Sequence, residues 1–360
     1  MCGIVGFIGR SKNQKVCFDF TTALLKHTEI RGDDATGFWA SSLRLNGNKE
    51  SGKVYFTKAP KKSTEFVNEP FWKHWKNDSP SLFLGHCRRS TKKGSEAVNK
   101  NNHPFVSEDY RTALVHNGNV PEHNTLRSSF DLKTDCDSEV LLRIIEQGSL
   151  YKPDYIKSQI GELSISQEDN PLLFKDMPNG LFKDIPDDKI PFWAYRLMGL
   201  IDVFALINYA AMSVAVAEEW QDGTHALWVF RNDQRPLHLV DMTETLGQVY
   251  ISSERQIIRK AFDDTPELQN ILGSTPTPVI ELPANNDIWL IVCSPNGELS
   301  HLQFEINKTK KYDTTFEAER PADKEVLKPR LRPSVVSNLN LDTFESNVIQ
   351  KKNPTASKTA

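Results

Sequence analysis

Apolar residues in this chain come mostly in short, dense runs separated by polar turns, and amphipathic stripes are few. "CGIVGFIG" (2–9) reads as a strand, and "CFDFTTALLKHTEIRG" (17–32) as a helix ended by Gly32. "ATGFWASS" (35–42) is a second strand, while "SLFLGHCR" (81–88) and "TALVHNGNV" (112–120) are strand-to-loop units. "DCDSEVLLRIIEQG" (135–148) predicts a helix with Asp or Ser in its capping region and its end at Gly148. Strand signals return in "THALWVFRND", "RPLHLVDM", "GQVYISSE" and "NDIWLIVCS" (286–294). Strands and helices mix without regular crossover spacing, which points to a layered α+β architecture.

Two stretches break this rhythm. Residues 149–191 are rich in Pro, Asp and Lys with weak periodicity and read as an insertion. From Asn307 the chain becomes charged and Pro-containing, with few apolar residues, so 307–360 reads as a disordered tail after a body spanning 2–306. "MGLIDVFALINYAAMSVAVA" (198–217) has the length of a membrane span, but Gly199, Asn208, Tyr209 and Ser213 interrupt it. A buried helix followed by a core strand is the better reading.

Composition narrows the class. The 360 residues carry a formal charge of -3 and 38% hydrophobic residues, which suits one large core or two modest ones. With no global basic field, nucleic acid is not expected as a direct ligand of the main body. The five cysteines, Cys2, Cys17, Cys87, Cys136 and Cys293, are scattered and never in CxxC spacing. That argues against a disulfide framework and a zinc site, and points to a reducing compartment. The N-terminal apolar run is too short for a signal peptide, so the cytoplasm is the expected location and no membrane association is expected.

A cysteine directly behind the start methionine needs a reason, and later segments supply one. "MCGIVGFIG", "RGDDATG" (31–37), "GHCRRST" (85–91), "VHNGNV" (115–120) and "TDCDSE" (134–139) occur in that order. This set resembles the glutaminase domain of class II glutamine amidotransferases, the N-terminal-nucleophile hydrolases that include the glucosamine-6-phosphate synthase type. The resemblance implies a four-layer αββα sandwich, with two mainly antiparallel sheets between helical layers.

The chemistry fits those residue types. Once Met1 is removed, a terminal cysteine carries its own base, since an α-amine of pKa ~7.7–8.0 sits beside a thiol near ~8.5. The resemblance makes Cys2 the nucleophile toward the glutamine side-chain amide. It assigns the Asn117 side chain and the Gly118 N–H as oxyanion donors. The Asn-Gly pair is also a hairpin signal, and a tight turn would present those donors. Arg88 is implied as the partner of the glutamine α-carboxylate, with Thr91 as helper, and Asp137 as the partner of its α-ammonium. Asp137 can also act as an N-cap. Arg31 matches an arginine near the nucleophile, and Asp33 or Asp34 could pair with it.

The match has departures. The glucosamine type continues from its arginine with Trp and Ala-Thr-His-Gly, where this chain has Arg89, Ser90, Thr91, Lys92 and Lys93. "NNHPF" (101–105) keeps an Asn-x-His-Pro pattern, with His103 read as a structural loop residue. Cys17, Cys87, Cys136 and Cys293 read as buried small hydrophobes, with Cys87 a candidate second reactive thiol beside Arg88. No P-loop and no dinucleotide fingerprint occur, so no cofactor and no metal are expected. The insertion and tail are too short and polar for a synthase domain. The expected activity is hydrolysis of glutamine to glutamate and ammonia, passed to a separate synthase or ligase subunit. The alternatives are an inactive scaffold, motivated by Arg89 and Lys92, or an amidase for another amide.

Overall fold

A computed structural model of the chain describes residues 2–43, 53–91, 94–120, 123–127, 130–161, 164–165, 173, 180–207, 210–273, 279–282, 287–305 and 347–350. Eight strands form one sheet, in the spatial order β13 (Val279–Glu281), β11 (His238–Met242), β12 (Gln248–Ser252), β1 (Gly3–Ile8), β4 (Leu82–Arg88), β2 (Ala35–Ser41), β3 (Lys53–Ala59) and β16 (Asn347–Gln350). Six form a second: β15 (Leu299–Glu305), β14 (Asp287–Cys293), β10 (His225–Arg231), β9 (Met212–Glu219), β6 (Thr112–Gly118) and β5 (Phe105–Val106). The pairings within both sheets are antiparallel. A two-stranded ribbon joins β7 (Ser164–Ile165) to β8 (Gly180–Leu181).

The four main helices are α1 (Gln14–Thr28), α2 (Ser138–Gln147), α3 (Phe192–Ile207) and α4 (Arg255–Asp263). Three apolar clusters show how they stack. Ile4, Ile8, Leu84, Ala113, Val115, Ala215, Leu227 and Ile291 fill the space between the two sheets. Val5, Phe7, Phe83 and Tyr250 pack outward against Phe20, Leu24, Ile257 and Ile258 of α1 and α4. Leu114, Trp228 and Leu290 pack outward against Leu141, Ile145, Leu197 and Leu200 of α2 and α3. The architecture is therefore helix, sheet, sheet, helix. Both faces of most strands are covered, which is why their sequences read as continuous apolar runs without polar alternation.

Several sequence expectations hold within a residue or two, and others shift. The helix expected over 17–32 begins at Gln14, where the Asn13 side chain accepts the Val16 N–H at 3.2 Å, and it ends at Thr28. Hydrogen-bonded turns carry the chain on to Gly32, whose N–H reaches Glu29 O at 3.1 Å. The 198–217 stretch is the second half of α3 followed by β9, and among the described residues no helix is long and apolar enough to cross a membrane. In 149–191, the helix Pro153–Ile160 buries Ile156, and Phe182, Ile185 and Ile190 join the cluster under α2 and α3. Lys92, Lys93 and all of 307–360 except 347–350 lie outside the described residues.

Gly148 does not stop α2 through a left-handed conformation, for its φ is -53°. Its value is close packing: a Cβ there would stand 2.3 Å from Tyr195 O and 2.8 Å from Gly199 N, where α3 crosses.

Candidate active site

Strand parity explains how distant motifs meet. In β1 the even positions Ile4 and Ile8 face the second sheet while Val5 and Phe7 face α1, so Cys2 precedes the strand in the inward parity. In β4, Leu82 and Leu84 face inward, which puts His86 and Arg88 on the same side. In β6, Ala113 and Val115 face inward, and Asn117 follows them. β6 lies across from β1 and β4. Cys2, Arg88 and Asn117 thus share one end of the layer between the sheets.

The Cys2 thiol is half-buried at the end of β1, which pairs Gly3 with Cys87 of β4. Arg89 N–H donates to Cys2 Sγ at 3.3 Å, and Sγ lies 3.5 Å from Arg89 O. Burial pushes the thiol up, while the Arg89 N–H and the nearby Arg88 and Arg31 guanidiniums oppose that shift by favouring thiolate. Arg31 Nε donates to Cys2 O at 3.0 Å, and its Nη1 forms an ion pair with Glu254. The expected pairing of Arg31 with Asp33 or Asp34 is therefore wrong. Asp33 pairs with Arg89 at 3.3 Å, and Asp34 Oδ2 accepts the Ser90 N–H at 2.7 Å. Gly32 packs against the Arg88–Arg89 backbone, where a Cβ would meet Arg89 N at 2.5 Å.

Asn117 and Gly118 are not in a hairpin turn, contrary to the Asn-Gly signal. They end β6, and the strand they pair with, β9, begins only at Met212. Asn117 is buried, and its Nδ2 donates to Ser253 Oγ at 3.0 Å, leaving the second amide hydrogen for another acceptor. Among the described residues, the Gly118 N–H also has no hydrogen-bond acceptor. Glu219 N–H bonds to Arg111 O, so alternation along the antiparallel pair puts Gly118 opposite Met212 in a pair that exchanges no hydrogen bonds. Consistently, Met212 N and O both engage Asn232, on the β10 side. The Gly118 N–H therefore points away from β9, past the end of the two-residue β5.

Arg88 is buried at the end of β4. Its Nη1 donates to Asn102 Oδ1 at 2.6 Å and its Nη2 to Ser95 Oγ at 3.1 Å. Its Nε has no hydrogen-bond acceptor among the described residues, so the Nε–Nη2 edge retains donors for a carboxylate. Thr91 is exposed and, among the described residues, makes no hydrogen bond to Arg88. Asn102 and Ser95 hold the guanidinium instead.

Asp137 occupies the N-cap position of α2 but its side chain makes no cap hydrogen bond, contrary to the capping role. Its Oδ2 accepts the Val120 N–H at 2.8 Å, fastening the segment after Gly118 to the start of α2. Its Oδ1 accepts from Ser138 Oγ at 3.3 Å, and Ser138 Oγ lies 3.0 Å from His116 Nδ1.

Sequence reading missed Ser253 and Glu254. They follow β12 directly and come level with the nucleophile because β12 pairs with β1, Val5 opposite Ser252. Ser253 Oγ accepts the Ile4 N–H at 2.7 Å and Ser253 N–H donates to Ile4 O at 2.9 Å. No short motif marks them, and only the register brings them in. His103 is buried in its loop, its ring centre 4.1 Å from that of His86 with the planes tilted by 31°. Cys87 faces α1, its Sγ 3.7 Å from Leu25 O, and burial pushes its thiol up to about 12. It is no second reactive thiol. Cys17 and Cys293 are likewise buried, whereas Cys136 is only half-buried. Among the described residues no group of His, Cys, Asp and Glu could hold a metal ion.

Known proteins with similar sequences match part of this chain. The glutamine–fructose-6-phosphate aminotransferase of Sulfolobus acidocaldarius is 29% identical over 153 residues, covering 41% of this chain and 23% of that protein. Its counterpart in Bacillus subtilis is 28% identical over 226 residues, covering 59% of this chain and 33% of that protein. The chain is a relative of the class II glutamine amidotransferases. It spans about a third or less of the length of these amidotransferase relatives. No protein-family model matches it. Among solved structures, a glutamine phosphoribosylpyrophosphate amidotransferase of B. subtilis aligns with a TM-score of 0.45 and 16% identity, over 85% of this chain and 50% of that one.

Proposed function

We propose that the chain hydrolyses glutamine to glutamate and ammonia with Cys2 as nucleophile, and that the ammonia passes to a separate synthase or ligase. The observation that carries this reading is the convergence of Cys2, Arg31, Arg88 and Asn117 at one end of the layer between the sheets. After Met1 is removed, the α-amine of Cys2 takes the thiol proton and the thiolate attacks the side-chain amide carbon. The oxyanion is received by Asn117 Nδ2 and the Gly118 N–H. Collapse of this intermediate expels ammonia, which takes the proton from the ammonium, and leaves a thioester. Water, deprotonated by the same amine, cleaves the thioester to glutamate and free thiol. Arg88 holds the α-carboxylate through its open edge, and Asp137 takes the α-ammonium.

The scaffold reading draws on Arg89 and Lys92; Lys92 lies outside the described residues, and the Arg89 side chain is exposed and pairs with Asp33. The test is the intact mass of the purified protein before and after a glutamine-mimicking diazoketone. Loss of Met1 and one adduct on Cys2, blocked by glutamine, support the proposal. A demethionylated protein that takes no label, and releases no ammonia from glutamine, overturns it.

A further inference from the structure

The segment 99–104 touches both halves of the proposed glutamine pocket, and its contacts are more specific than a surface loop requires. Asn102 is fully buried, with its Oδ1 on Arg88 Nη1 at 2.6 Å and its Nδ2 donating to Glu96 O at 2.9 Å and Asn99 Oδ1 at 3.2 Å. Those two acceptors fix which way the amide points, so a carbonyl oxygen faces the guanidinium. Asn101, also buried, accepts the Asp135 N–H on its Oδ1 at 2.9 Å, two residues before Asp137. One asparagine therefore grips the residue proposed for the α-carboxylate, and its neighbour grips the segment carrying the residue proposed for the α-ammonium.

The segment is in turn pinned from β3. Lys58 Nζ donates to Asn102 O at 2.6 Å, Lys100 O at 3.1 Å and Pro104 O at 3.2 Å, which uses all three ammonium hydrogens. Its Nζ also lies 4.9 Å from the centre of the Phe105 ring. Asn99 Nδ2 returns a bond to Lys58 O at 2.7 Å. Among the described residues, no carboxylate forms an ion pair with Lys58. An ammonium held on backbone carbonyls without a counter-ion is expensive compared with an apolar residue of similar length, and burial pushes its pKa down to about 7. Here it fixes the main chain on either side of Asn102 and His103.

We propose that Lys58, Asn101 and Asn102 are positioning residues that set the separation and aim of the Arg88 and Asp137 handles, and so select an amino acid with a glutamine-length side chain. This rests on the glutaminase reading above. None of the three reaches the reacting carbon. Their loss weakens glutamine capture while the thiol and oxyanion donors stay in place.

The test compares wild type with Lys58→Met and Asn102→Ala, which sit on different elements, in the full chain. Expected in both variants is a KM for glutamine raised about tenfold with kcat within about threefold of wild type. Labelling of Cys2 by the glutamine-mimicking diazoketone should slow by the same factor as kcat/KM. Alkylation of Cys2 by iodoacetamide, which needs neither handle, should keep its rate. Lys58→Arg, which keeps the charge and its donors, should recover part of the loss. Wild-type KM and labelling in both variants overturn the positioning role and leave the glutaminase reading intact. A parallel fall in kcat and iodoacetamide rate, or unfolding of both variants at assay temperature, also overturns it, because the trio would then hold the fold and not the pocket. A wild type that takes no diazoketone label overturns the glutaminase reading and the positioning role with it.

Discussion

Ser253 Oγ lies 3.0 Å from Asn117 Nδ2, and the same oxygen accepts the Ile4 N–H at 2.7 Å. One buried hydroxyl thus ties the strand that carries the thiol to the side chain proposed to receive the oxyanion, across the space between the two sheets. Removing a preorganised oxyanion donor typically costs 10²–10³ in kcat, so Asn117→Ala is expected to fall by roughly that factor. Ser253→Ala keeps the donor but frees its orientation, and a smaller loss of about tenfold is expected. Steady-state ammonia release measures both. Equal losses would mean that Ser253 acts on the thiol strand and not through Asn117.

Arg31 holds the Cys2 carbonyl and is itself held by Glu254. Arg31→Met should lower kcat by about 10²-fold, the scale of misplacing a reacting group by about an ångström. It also removes a positive neighbour that favours thiolate. Burial already pushes the Cys2 thiol up, so iodoacetamide alkylation should rise through a midpoint above that of an ordinary thiol, and higher still in Arg31→Met. The pH profile of alkylation checks this, and an unchanged midpoint would remove Arg31 from the thiol's surroundings.

Gly3 has no room for a side chain. A Cβ would stand 2.2 Å from Thr28 Cγ2 and 2.9 Å from Arg31 Cβ. Gly3→Ala must therefore push β1 off the end of α1, at an expected cost of about 1–3 kcal/mol. Urea unfolding measures the cost, and ammonia release should fall with it because Cys2 moves too.

Three buried imidazoles make the fold sensitive to acid. Burial lowers His86 to about 3 and His116 to about 4, and holds His103 well below its ordinary value. In the unfolded chain each takes a proton near pH ~6.5. Between about pH 6.5 and 4 the unfolded state therefore binds more protons than the native one, and stability falls as pH falls, by up to about 1.4 kcal/mol per pH unit for each group. For His86 the loss continues to about pH 3. The urea midpoint should drop steadily from pH 7 to pH 4.5, and His86→Gln should flatten that slope. A midpoint independent of pH across this range would sink the account.

The sequence by itself determined most of the strands and the identity of the motif residues. Runs such as "GIVGFI" and "ALWVF" are apolar on both faces because each sheet is covered twice, and that signal is local. "HCRRST" and "TDCDSE" declared Arg88 and Asp137 by residue type and order. Partners were decided only by tertiary structure. Thr91 is near Arg88 in sequence but exposed, whereas Asn102 and Ser95 hold the guanidinium. Asp33 and Asp34 are next to Arg31 in sequence, yet Glu254 takes the ion pair because β12 lies beside β1. Asn117-Gly118 signals a turn locally, and pairing with β9 makes it a strand end with an open N–H. A motif records what a residue can do chemically. Which group it does it with depends on strand register, and antiparallel neighbours drawn from distant parts of the chain leave no local trace of that register.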